Sequence, residues 1–163
     1  YPPIDLSQVV AGFNFDAMLP TGLTNDMVVV GYGASELEDL LELELQQTGR
    51  YVNPDPNPDK GYFYRSDHIS LAKRGVPMLY AGGGFDLVNG GREAGFAFAE
   101  SYRLDAYHGV ADEYDESWNL EGLNQSIDVI FSIGNKLANN SQWPNWYEGN
   151  EFKSIRDASR AGK

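Results

Sequence analysis

The chain has 163 residues, 42% of them apolar and 13% aromatic, which is enough for one domain with its own hydrophobic core. Its formal net charge of −12 disfavours nucleic acid and anionic lipid as partners, and no apolar run reaches the length of a transmembrane segment. It contains no cysteine, so disulfides and thiolate metal sites are excluded, and any metal would be bound by Asp, Glu and His.

The first third of the chain predicts two strands and a helix. Residues 8–19 are typical of a strand with Asp16 near its end, and residues 27–32 of a short strand covered on both faces. Ser35 and Glu38 fit a capping box at the start of a helix with leucines at helical spacing, which Gly49 ends.

A Pro- and Asp-rich segment, residues 50–61, predicts a loop. Its acids match the first ligand positions of an EF-hand, but Lys60 and Ser66 stand where that loop needs Gly and Glu. A standard EF-hand is therefore excluded, and a loop stiffened by proline is favoured over a weak, irregular calcium site.

The rest of the chain alternates again between helix and strand. Residues 68–74 predict a short helix, 76–80 a buried strand, and 120–137 a long amphipathic helix. Residues 85–118 have no clear period, which favours a functional loop, and Trp143, Pro144 and Trp146 are candidate anchors of a polar tail. The alternation predicts an α/β fold with a mixed, largely parallel sheet, in one domain over residues 1–163.

Three polar clusters are candidates for a site, because sites in open α/β sheets form beyond the carboxyl ends of the strands. They are Asn14 to Asp16, Ser66 to His68, and Tyr107-His108 with the acids that follow. Local sequence also allows structural roles: a turn carboxylate for Asp16, and surface or packing positions for both histidines. Acids near His108 could orient its ring, as metal-bound histidines usually require.

These clusters, in this order, resemble the zinc exopeptidase family of the secreted bacterial leucyl aminopeptidases and glutamate carboxypeptidase, over about residues 8–138. Asn14-Phe15-Asp16 looks like the family's Asn-x-Asp motif, and residues 64–80 (YRSDHISLAKRGVPMLY) resemble its Ser-Asp-His helix and following strand. Residues 31–41 (GYGASELEDLL) are similar to the intervening turn and helix. The resemblance implies a three-layer fold, two zinc ions, peptide substrates, and a secreted or periplasmic location.

The resemblance also implies roles for individual residues. Asp16 would bind one zinc ion and His108 the other, and Tyr107 would stabilise the oxyanion of the reaction. A substrate pocket, whose aromatic content suggests an apolar side chain, would be lined by Phe63, Tyr64, Ser66, Asp67 and His68.

Two family motifs are absent from this sequence. It has no His-x-Asp and no adjacent Glu-Glu pair, which supply the remaining metal ligands and the general base and precede Asn-x-Asp in the family. We therefore expect the chain to be the C-terminal part of the catalytic domain, inactive and poor at binding zinc without the N-terminal half. An uncovered sheet edge would offer a surface for self-association.

Other functions fit the same motifs. A carboxypeptidase or dipeptidase of the family is one alternative, but its substrate carboxylate needs a basic clamp, for which only Arg65, Arg92 and Arg103 are candidates. A non-catalytic acidic binding module with the same fold is the other.

Overall fold

The fold is built around a sheet of four strands in a computed structural model that describes residues 4–162. The strands are β1 (Gly12–Asn14), β2 (Asp26–Val29), β3 (Tyr51–Pro54) and β4 (Met78–Gly83), in the order β1-β4-β2-β3. β1 is parallel to β4 and β2 is parallel to β3, whereas β2 and β4 are antiparallel. The α/β class and the mixed sheet are confirmed; the three-layer arrangement stays a prediction.

Five α-helices accompany the sheet within the described residues: α1 (Leu37–Gln47), α2 (Ile69–Ala72), α3 (Gly91–Asp105), α4 (Glu121–Ala138) and α5 (Lys153–Arg160). The predictions of α1, α2 and α4 are confirmed. Two other predictions are wrong: residues 50–61, predicted as a loop, contain β3, and residues 85–118, which lack a clear hydrophobic periodicity and were predicted as a functional loop, contain α3. No helix among residues 4–162 is long and apolar enough to cross a membrane.

The start of α1 differs from a capping box. The capping position is occupied by Glu36, and the buried hydroxyl of Ser35 has no hydrogen-bond partner among the described residues. Instead, the Glu38 carboxylate accepts the N–H groups of Gly33 and Ala34, both at 2.7 Å, and more weakly that of Ser35 at 3.3 Å. Only the glutamate half of the predicted box forms, and it fixes the turn between β2 and α1.

Two apolar clusters pack around the sheet. The first joins α1 and α4 to β2 and β4, and it includes Met27, Leu41, Leu79 and Ile133. The second lies between α2, β4 and the C-terminal segment, and its buried members are Ala34, Phe63, Ala72, Val76, Met78, Trp146 and Phe152. Met78 and Leu79 belong to different clusters because neighbouring strand residues point to opposite faces of a sheet.

The C-terminal segment is anchored to the start of the chain. Trp146 is buried and donates its indole N–H to the carbonyl of Gly75 at 3.1 Å. Arg156 donates to the carbonyls of Val9 and Val10, each at 2.9 Å, and these residues lead directly into β1. Trp146 is thus an anchor as predicted, and α5 holds the segment before β1 in place.

Candidate functional site

The most connected polar cluster surrounds Asp16, two residues beyond the end of β1. Ser66 donates its hydroxyl to Asp16 Oδ2 at 2.8 Å and accepts a hydrogen bond from Asn14 Nδ2 at 2.9 Å. This chain of hydrogen bonds links the Asn-x-Asp and Ser-Asp-His segments, which are 50 residues apart in sequence. Asp16 itself is exposed, so its carboxylate is oriented by the fold and open to a ligand.

Tyr80 completes this cluster and was not anticipated from the sequence. It pairs with Asn14 in the register of β1 and β4, which places it beside the strand that leads to Asp16. Burial, and next the charge of Asp16, raise the pKa of Tyr80 to about 12, so the phenol stays protonated at neutral pH. The signal that could have identified it is its position at the end of the apolar run 76–80, which follows the Ser-Asp-His segment.

His68 lies behind the cluster and is almost completely buried, with 2% of its surface exposed. Its ring packs against Phe63 at 4.6 Å and Tyr80 at 5.2 Å between ring centroids. Neither ring nitrogen has a hydrogen-bond partner among the described residues. Burial lowers the pKa of His68, although the charges of Asp16 and Asp67 act in the opposite direction. The neutral ring is therefore a packing element beneath the site.

Acid is expected to destabilise the chain through His68. Because its pKa is below the ordinary value of 6.5, the unfolded chain binds a proton there that the folded chain does not. The free energy of unfolding should therefore fall as the pH drops below about 6.5, until the lowered pKa is reached.

Thermal unfolding at about pH 7.5 and about pH 5.5 measures this effect. His68→Leu should reduce the difference between the two midpoints, whereas His108→Leu, at the exposed second histidine, should leave it unchanged. An equal acid sensitivity in wild type and His68→Leu would contradict the assignment.

The Tyr107-His108 pair lies in an exposed turn after α3. The two rings stack at 3.9 Å between centroids, and His108 has a left-handed backbone with φ of 59°. Asp112 Oδ2 accepts the backbone N–H of His108 at 3.3 Å, while Asp112 Oδ1 accepts the hydroxyl of Tyr102 at 2.8 Å. Asp112 therefore supports the unusual backbone of the turn by bonding to the main chain of His108.

The remaining predicted pocket residues divide between a cavity and the surface. Phe63 and Tyr64 line a cavity of about 310 Å³ between residues 30–34 and 55–64. Ser66 belongs to the Asp16 cluster, His68 packs beneath it, and Asp67 is exposed just before α2. Asp55, on the wall of the same cavity, was not anticipated as a pocket residue.

The Asp16 cluster and the Tyr107-His108 turn are separate within the described residues. No hydrogen bond or ring contact between the two groups is present among residues 4–162. In that same part of the chain, no group of three or more His, Asp or Glu side chains is arranged to hold a metal ion. The part of the chain that the structure describes therefore does not by itself fit a complete zinc site.

A family model decides the classification. The model for peptidase family M28 matches residues 2–133, which include the Asp16 cluster and the Tyr107-His108 turn. This chain belongs to peptidase family M28. The family consists of zinc-dependent aminopeptidases and carboxypeptidases, so metal-dependent peptide hydrolysis is its chemistry. No curated protein and no solved structure gives a significant match, and residues 134–163 lie outside the family match.

Proposed function

We propose that this chain forms the Asp16 and His108 side of the active site of a secreted or periplasmic two-zinc aminopeptidase. Asp16 would serve as a ligand of one ion and His108 as a ligand of the other, with Tyr107 as the oxyanion donor. The observation that carries the proposal is the hydrogen-bonded group of Asn14, Ser66 and Asp16 within the M28 match.

The remaining parts of the site would come from residues outside this sequence. It contains neither a His-x-Asp nor a Glu-Glu pair, and residues 4–162 hold no group of three or more side chains that could bind one metal ion. A single carboxylate and a single imidazole assigned to different ions cannot close a tetrahedral zinc site. We infer that an N-terminal half of the catalytic domain is the partner that supplies the general base and the other ligands. The uncovered sheet edge would pair with that half or, in its absence, with a second copy.

An aminopeptidase is favoured over a carboxypeptidase by the surroundings of the arginines. Arg103 donates two hydrogen bonds to the Glu100 carboxylate, at 2.9 and 2.6 Å. Arg92 donates to the Tyr51 hydroxyl, and the exposed Arg65 donates to the carbonyl of Lys60. None of these hydrogen bonds involves the Asp16 cluster, where a clamp for a substrate carboxylate would be needed.

The isolated chain is expected to be inactive on aminoacyl p-nitroanilides, with or without zinc. Calorimetry of the same preparation should detect no tight, stoichiometric zinc binding, because the ligand sets are incomplete. Tight zinc binding with hydrolysis that disappears in His108→Ala would refute the need for a second half.

An assembled enzyme tests the positive part of the proposal. The chain is joined to a family N-terminal segment that contains both missing motifs, and peptide hydrolysis is measured. Asp16→Ala and His108→Ala should each abolish turnover, whereas Asp59→Ala, at an exposed acid of the 55–61 loop, should not. Failure of every assembled form to hydrolyse peptides would instead favour the non-catalytic binding module.

A further inference from the structure

The cavity beside the Asp16 cluster has aromatic walls. Phe63 and Phe152 are buried and stack with their ring centroids 6.4 Å apart and their planes at 20°. Tyr62 and Tyr64 also line the cavity, and both are partly exposed. Its volume of about 310 Å³ lies at the lower end of the range for ligand sites, and therefore suits one side chain better than a large ligand.

A glycine sets the shape of this cavity. Gly31 has a left-handed backbone with φ of 78°, and a Cβ atom there would run into the ring of Phe63. Asn150 and Phe152 also line the cavity, and both lie beyond residue 133, where the family match ends. The cavity is thus formed partly by a segment that the family match does not include.

A carboxylate without a cationic partner lies in the wall. Asp55 is half-buried, and its Oδ1 accepts the backbone N–H of Asn57 at 2.9 Å. Among the ion pairs within residues 4–162, none involves Asp55, and no lysine or arginine lines the cavity. A second acid, Glu151, accepts the hydroxyl of Tyr64 at 2.8 Å. Aromatic rings beside an unpaired carboxylate provide favourable contacts for a cation.

The cavity and the Asp16 cluster adjoin. Phe63 in the cavity wall packs on His68, and His68 packs on Tyr80, which pairs with Asn14 of the cluster across β1 and β4. Val30, another residue of the lining, donates its backbone N–H to the carbonyl of Tyr80 at 2.9 Å, so the cavity and the cluster both border this tyrosine. A group held in the cavity would therefore be separated from the Asp16 cluster by His68 and Tyr80.

We propose that this cavity binds a cationic side chain of the arginine or lysine type, with Asp55 as its ionic partner and the tyrosine rings along its stem. This inference rests on the proposed peptidase function and gives it a substrate class: peptides with a basic residue at the cleaved end. The aromatic content alone had suggested an apolar substrate side chain. The proposal differs because the structure adds the Asp55 carboxylate to the cavity wall.

Binding to the 163-residue chain tests the inference without any need for catalysis. N-acetyl-arginine amide and N-acetyl-norleucine amide share a backbone and differ in charge, so amide NMR shifts isolate the side-chain preference. Shifts at Gly31, Gly33 and Gly61, which line the cavity, should report both ligands. We expect arginine amide to bind roughly 5-fold to 10-fold more tightly, as for one partly exposed ion pair with cation–π contacts.

Two matched variants separate the role of Asp55 from a general effect of negative charge. Asp55→Asn should abolish the preference for arginine, whereas Asp59→Asn, at an acid of the same loop that does not line the cavity, should preserve it. Equal or tighter binding of norleucine amide, or an equal effect of the two variants, would overturn the inference, as would the absence of shifts from either ligand. The result is independent of the hydrolysis assay, so an inactive assembled enzyme with arginine selectivity would reject the peptidase function alone.

Discussion

Asp26→Ala should lower the free energy of unfolding by about 3–5 kcal/mol, because it removes a buried carboxylate and leaves several hydrogen-bond donors unsatisfied. Asp26 is fully buried, and its carboxylate accepts Asn53 Nδ2 at 2.7 Å and the N–H of Asp86 at 2.8 Å. It also accepts the N–H of Phe85 more weakly, at 3.4 Å. Its charge acts on the buried guanidinium of Arg50, whose pKa burial lowers to about 10. Alanine would leave these three donors without their acceptor, whereas Arg50 would keep its hydrogen bonds to Thr24 and to the backbone carbonyl of residue 26.

Urea unfolding of the chain measures this loss directly. Asp59→Ala, at an exposed acid, is the matched control and should change the free energy by no more than about 0.5 kcal/mol. A loss of similar size in both variants would show that net charge, and not the buried network, determines the effect. Because Asp26 holds the backbone of the loop before α3, amide exchange in α3 should also accelerate in Asp26→Ala.

Elements with a strong apolar pattern were predictable from the sequence. The run of residues 27–32 and the leucines of α1 form the first apolar cluster together with α4, as their periodicity indicates. β3 lacked such a signal, because its four residues, YVNP, combine two strand formers with Asn and Pro. Pairing with β2, supported by the buried Arg50 just before it, determines its conformation instead.

The helix α3 was unpredictable for a different reason. Gly95 is its only buried residue, so the helix has no apolar stripe from which a period could be read. A Cβ atom at Gly95 would collide with the carbonyl of Phe85, so glycine at this position permits close packing. Helix propensity, in contrast, counts a glycine as evidence against a helix.

The candidate site was partly predictable. Asn-x-Asp and Ser-Asp-His identified two segments by their motifs, and hydrogen bonds join Asn14, Ser66 and Asp16 in the fold. Tyr80 ends the quoted run 64–80 and Asp55 lies in the segment compared with an EF-hand, but neither was assigned to the site, because a Tyr in an apolar strand and an Asp among prolines are common structural residues. Only the sheet register and the cavity wall bring them to the site.

In an active enzyme that contains this chain, Tyr107→Phe should lower kcat about 100-fold, since loss of one oxyanion donor costs about 3 kcal/mol in the barrier. The phenylalanine ring can still stack on His108 as Tyr107 does at 3.9 Å, so the substitution removes only the hydroxyl. An interaction made only in the transition state lowers kcat with little change in KM.

Steady-state kinetics of the assembled enzyme give both constants. Tyr114→Phe is the matched control, because Tyr114 is an exposed tyrosine of the same region that packs edge-on against Trp118 at 5.6 Å. Its kcat should stay within a factor of about two, as expected for a surface substitution. A Tyr107→Phe enzyme with unchanged kcat would show that Tyr107 only supports the ring of His108. A rise in KM with unchanged kcat would mean that the hydroxyl binds the peptide equally in the ground state and in the transition state, and so does not act as an oxyanion donor.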